Sequence, residues 1–161
     1  MFYSPSLPNT IVTLKFLFQC TFAATCATIV SGAIAERCSF NGYIVFAGIM
    51  TGVIYPISTH WCWSNNGWLN TIGFSDFAGS GVVHLAGGTC ALVGAIILGP
   101  RLDRFNDESD TYVPGHNIPH VALGGFLLVA GFMAFNGGSQ ASITAPGKLH
   151  ILIVFVHALF N

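Results

Sequence analysis

The chain has 161 residues, of which 53% are hydrophobic and 7% charged, against about a quarter charged in an average soluble domain, which excludes an ordinary water-soluble fold. Five Lys and Arg against six Asp and Glu leave a net charge of -1, so the basic footprint required by nucleic acid is missing. Between Cys38 and Pro100 the only charged residue is Asp76, a composition that suits lipid and not water.

In chain order, residues 1–14 hold no basic n-region and no small-residue cleavage pattern, so a cleaved signal peptide is not expected. The first apolar window covers 16–35 and carries small residues at Ala24, Ala27, Thr28, Ser31 and Ala35. A short connector, 36–41, leads to a second window, 42–63, which ends in His60-Trp61-Cys62-Trp63. The loop 64–76 has no basic residue. The third window, 77–99, opens just after Asp76 and contains His84 on a helical stripe with Phe77, Gly81, Gly88, Ala91 and Ala95, with Val82, Val93 and Ile97 opposite. Loop 100–117 holds Arg101, Asp103, Arg104, Asp107, Glu108 and Asp110 and reads as the solvated connector. A fourth window, 118–138, shows Gly124, Gly131, Phe135 and Gly138 on one side. A fifth, 149–160, is too short to cross and reads as a span cut off partway.

Four windows of about 20 apolar residues predict an all-α, polytopic transmembrane helix bundle, a single partial membrane domain over 1–161. Their small-residue stripes predict close helix neighbours, because lipid supplies no hydrophobic drive for association. The five cysteines are odd in number, lack CxxC spacing and fall in apolar runs; they suggest neither a disulfide framework nor a metal site. Arg37, Arg101 and Arg104 on one side against Lys15 and Lys148 on the other make loop 64–76 extracytoplasmic, and with it Met1.

Alternating spans bring Phe22, then Trp61 and Trp63, then Asp76, then Phe135, Asn136 and Ser139 to that same outer face. An aromatic belt at the membrane interface would explain a tryptophan there. An aromatic cluster with a hydroxyl also suits a small cation, whose attraction to a ring face is worth about 1–2 kcal/mol when partly desolvated. His84, eight residues past Asp76, is expected about 12 Å below the mouth. An ionisable group at that depth is a functional candidate, the alternative being a neutral imidazole bonded across helices. Asp76 reads as a helix N-cap, with direct cation binding as the other reading. His60, His120 and His157 raise a haem-bundle alternative with axial histidines, against which the differing depths of His60, His120 and His84 argue. His116 reads as a solvated loop residue and His150 lies at a span boundary.

Four strings resemble the ammonium transporter (Amt/Mep/Rh) family, in the family's order. They are Thr21-Phe22-Ala23 with Ser31-Gly32-Ala33-Ile34-Ala35-Glu36-Arg37, Tyr55-Pro56 leading to His60-Trp61-Cys62-Trp63-Ser64, Asp76-Phe77-Ala78-Gly79-Ser80-Gly81-Val82-Val83-His84, and Phe135-Asn136-Gly137-Gly138-Ser139. The His-Trp-x-Trp form is similar to the Amt branch. The resemblance implies ammonium transport, not enzymatic catalysis, with no cofactor, in a multi-pass protein of the plasma membrane that is a homotrimer when complete. By the same resemblance Trp63, Phe22 and Ser139 form the outer ammonium site, Phe22 and Phe135 a stacked gate, His84 lines the pore, and Asp76 supports the mouth structurally. The chain would supply the third to sixth helices, a fragment expected not to conduct alone because the partner histidine lies in a missing half.

The implied chemistry is physically coherent. An unpaired ion in a dry pore costs tens of kcal/mol by Born arithmetic, whereas neutral ammonia loses only hydrogen bonds. Deprotonation at the gate, with passage of ammonia past His84, answers that cost. Two other readings stand beside it: an ammonium sensor or truncated regulatory subunit that does not transport, and the haem-binding bundle.

Overall fold

The computed structural model describes residues 9–102, 104–105 and 115–140. Contacts divide the chain into two compact units, 1–106 and 107–161. The described residues are mostly helical, with no strand among them, and four helical segments are long and apolar enough to cross a membrane: Ile11–Ile34, Phe40–Thr71, Ser80–Leu98 and Ile118–Ser139. The window 149–160 lies outside the described residues, as do Lys148, His150 and His157.

In the first unit, α1 runs from Asn9 to Ile34. Four of its hydroxyls bond within the helix, which suits a bilayer. Thr21 donates to Phe18 O, Thr25 to Thr21 O, Thr28 to Thr25 O and Ser31 to Thr28 O. The second crossing is built in three pieces: α2 (Phe40–Ile49), a π-helical turn π1 (Met50–Ile54) and α3 (Tyr55–Trp63). Ser39 starts it, its Oγ accepting from Gly42 N–H at 3.2 Å. Pro56 interrupts it. With no N–H to give the preceding turn, proline breaks the i→i−4 ladder, and the chain takes up an extra residue per turn, Tyr55 N–H reaching Met50 O. A single-turn helix, α4 (Trp68–Thr71), lies in the following loop.

The third crossing begins with a second π-helical turn, π2 (Ser80–Leu85), and continues as α5 (Ala86–Leu98). Gly79 enters it at φ +96°, a conformation in which a side chain would be strained. The second unit contains α6 (Ile118–Ser139), opened by Asn117, whose Oδ1 accepts from His120 N–H at 3.1 Å, with Pro119 in the first turn.

The first unit's core lies mainly between α1 and α5. Phe22, Cys26, Val30 and Ile34, four residues apart, are buried together with Ala27. This corrects the expected stripe: Ala24, Thr28 and Ala35 are exposed, and Ser31 is half-buried. The small residues that permit close approach sit on α5 instead. A Cβ at Gly87 would meet Cys26 O at 2.9 Å and Ile29 Cβ at 3.1 Å, so larger α1 side chains pack into the space that α5 leaves. Gly87→Ala is therefore expected to cost about 1–3 kcal/mol, read as a lower unfolding midpoint in detergent. An unchanged midpoint would contradict this packing.

The stripe expected through His84 is shifted as well. Val82, Val83 and Gly87 are buried, Ala91 and Ala95 half-buried, and Gly88 exposed. Phe77 is 53% exposed and precedes the helix. The extrapolation assumed 3.6 residues per turn back to residue 77, whereas the chain there is a turn followed by a π-helical segment with a wider period.

Candidate functional site

Asp76 organises the site. It lies four residues before π2 and is buried. Its Oδ1 accepts from Gly79 N–H at 2.6 Å and Ser80 N–H at 3.1 Å, and its Oδ2 from Gly81 N–H and Val82 N–H, both at 2.9 Å. One carboxylate thus takes the amides that a helix start leaves orphaned, and its charge opposes the positive end of that segment. The expected N-terminal capping is found in extended form, with four backbone amides on the carboxylate.

Trp63 is tied to the same residue. Its indole Nε1–H donates to Asp76 O at 2.7 Å, which ties the end of α3 to the start of the third crossing. Phe22 stands next to it, ring centroids 6.0 Å apart at 59°. Phe22 also stacks on Phe18, at 4.2 Å and 33°, a partner that the i, i+4 spacing along α1 could have revealed. A Cβ placed on Gly79 would lie 3.6 Å from Phe22 Cε1, so the ring rests against the entry to π2.

His84 follows directly. It is half-buried, and its Nδ1 lies 3.3 Å from Gly79 O. A carbonyl can only accept, so in this hydrogen bond Nδ1 is the donor. The helical segment begins at Ser80, four residues after Asp76, so His84 stands on the first turn of this crossing.

Trp61 departs from the mouth cluster expected for it. It is 43% exposed and packs edge-on against Trp68 at 5.9 Å, the arrangement of an interfacial belt. Tyr55 was quoted only as part of a motif, yet its hydroxyl donates to Gln19 Oε1 at 2.7 Å and links α3 to α1 beneath the aromatic cluster. His60, His116 and His120 are exposed.

In the second unit, Phe135 and Ser139 share one face of α6, four residues apart. Ser139 Oγ–H donates to Phe135 O at 2.7 Å, which commits the proton and presents oxygen lone pairs. Phe135 pairs with Phe132 at 6.3 Å and 65°. The structure therefore brings Phe22, Trp63, Asp76 and His84 together in the first unit, and Phe135 and Ser139 in the second.

The sequence pattern of the Ammonium Transporter Family matches residues 3–159. The chain is 49% identical over 147 residues to Putative ammonium transporter 1 of Caenorhabditis elegans, covering 84% of this chain and 28% of that protein. It is 46% identical over 138 residues to Ammonium transporter 1 member 4 of Arabidopsis thaliana, covering 80% and 27%. It is 45% identical over 138 residues to Ammonium transporter Amt2 of Archaeoglobus fulgidus, covering 79% and 29%. The chain thus spans less than a third of the length of these relatives. With four apolar crossings and a match along nearly its whole length, this multi-pass membrane chain belongs to the ammonium transporter family.

Proposed function

We propose that the chain forms part of an ammonium conduction path in the plasma membrane, within a homotrimer. The cation is recruited at Trp63, Phe22 and Ser139, loses its proton at a constriction formed by Phe22 and Phe135, and continues as ammonia past His84. The observation that carries this reading is the continuity of Trp63, Phe22, Gly79 and His84. A ring that can hold a cation abuts Gly79, whose carbonyl lies 3.3 Å from the His84 imidazole.

Each group is in the form the step needs. The indole N–H of Trp63 is engaged, so its π face is the attractive element. The Ser139 hydroxyl is engaged as a donor, so it accepts from an ammonium N–H. A neutral ammonia in a dry passage must hydrogen-bond to something, and the His84 imidazole is the polar ring next along the path.

The test uses a chimera in which this segment replaces the matching stretch of the Caenorhabditis elegans relative. Trp63→Ala removes a ring worth about 1–2 kcal/mol of cation attraction, and should raise the KM for methylammonium uptake by about 5- to 30-fold. An unchanged KM in Trp63→Ala and Phe22→Ala alike would defeat the recruitment role.

A further inference from the structure

We propose that Tyr55, acting through Gln19, is a positioning residue that sets the width of the aromatic mouth and with it the size of cation admitted. The inference rests on the reading of Trp63 and Phe22 as the cation site. Met50 and Tyr55 stand at the two ends of the π1 hydrogen bond, the Tyr55 N–H reaching Met50 O. On an α-helix, side chains five residues apart point about 140° away from each other, at about 100° per residue. Both are nevertheless buried, Tyr55 at 4% exposed and Met50 at 0%. The wider period of the π turn, which packs against α1, brings the two to one buried face. There the Tyr55 hydroxyl donates to Gln19 Oε1 at 2.7 Å.

Gln19 follows Phe18 and lies three residues before Phe22, on the stretch of α1 that carries the stacked rings. Trp63, its ring 6.0 Å from that of Phe22, belongs to the same helix as Tyr55 and is tied at its own end to Asp76 O. Helix α3 is therefore held twice, to α1 through Tyr55 and to the start of the third crossing through Trp63, and the gap between Phe22 and Trp63 is what these two ties leave. Apolar contacts alone would hold it loosely, because in lipid a side chain gains little by touching another helix in place of an acyl chain. The hydrogen bond is directional, and with Tyr55 buried and Gln19 half-buried its rupture leaves a donor and an acceptor with little water to replace the partner. A cation between two ring faces draws on both only while they stay within its reach. A loosened mouth holds small ammonium-type ions more weakly and refuses bulkier ones less.

The experiment measures methylammonium uptake by the chimera with ethylammonium as competitor. In Tyr55→Phe the KM for methylammonium should rise about 3- to 15-fold, with the maximal rate per transporter in the membrane close to that of the unmodified chimera. The ratio of the ethylammonium inhibition constant to that KM should fall about threefold or more. A residue that only stabilised the fold would lower abundance and leave this ratio where it was. Gln19→Leu, which removes the acceptor at similar volume, should reproduce both changes, and the double variant should be no worse than either single one, because each breaks the same bond. An unchanged ratio in both single variants, or effects that multiply in the double variant, would overturn the proposal. Trp63→Ala separates it from the reading beneath it. A raised KM there with an unchanged ratio in Tyr55→Phe defeats the tie alone, whereas an unchanged KM in both defeats the cation site and the tie together.

Discussion

Replacing Asp76 by alanine is expected to remove nearly all folded protein from the membrane. Four backbone N–H groups converge on its two carboxylate oxygens, in a setting with little water to replace them. An unsatisfied buried donor costs about 1–3 kcal/mol, so even partial rearrangement leaves a deficit of several kcal/mol, comparable to the whole stability of many domains. The loss also reaches the mouth, because the Asp76 carbonyl holds the Trp63 indole. Asp76→Asn keeps one acceptor oxygen and turns an NH2 group toward two amides, so it should be damaged but less than alanine. Membrane abundance and the unfolding midpoint in detergent measure both. If alanine equals the unmodified protein in both, the carboxylate is not what holds the π-helical entry.

His84→Ala should give the opposite pattern, normal abundance with poor transport. The imidazole is half-buried and its Nδ1 lies 3.3 Å from Gly79 O, and its removal is expected to perturb folding far less than loss of the Asp76 carboxylate. Ammonia passing that point loses a hydrogen-bond partner worth about 1–3 kcal/mol, a fall in methylammonium uptake of about 5- to 150-fold in the chimeric transporter. His84→Ala with full uptake would remove the imidazole from the conduction path.

Much of this was legible in the sequence because lipid imposes few options. A long apolar run must be a helix in lipid, and Asp76 marks one start, while the caps at Ser39 and Asn117 emerge only in the structure. Alternating topology places Phe22 and Trp63 at one face, and their rings lie 6.0 Å apart. What the sequence hid depends on tertiary packing. The π-helical turns at Met50–Ile54 and Ser80–Leu85 shift the faces of every residue beyond them. Pro56 warns of the first, but only the contacts of the Asp76 carboxylate reveal the second. Residues 9–15 include threonine and lysine, so hydropathy ends the window early although the helix continues through them. The packing face of α1 was misjudged because close approach needs small residues on one partner only, and here that partner is α5.

The central claim is that this segment passes ammonium beneath an aromatic mouth. The most direct measurement is radiolabelled methylammonium uptake in cells lacking their own ammonium uptake and expressing the chimera. Saturable uptake that ammonium suppresses and an excess of potassium leaves intact is the predicted result. A chimera that reaches the membrane in normal amount yet takes up no more methylammonium than empty cells, or is blocked equally by potassium, would contradict it.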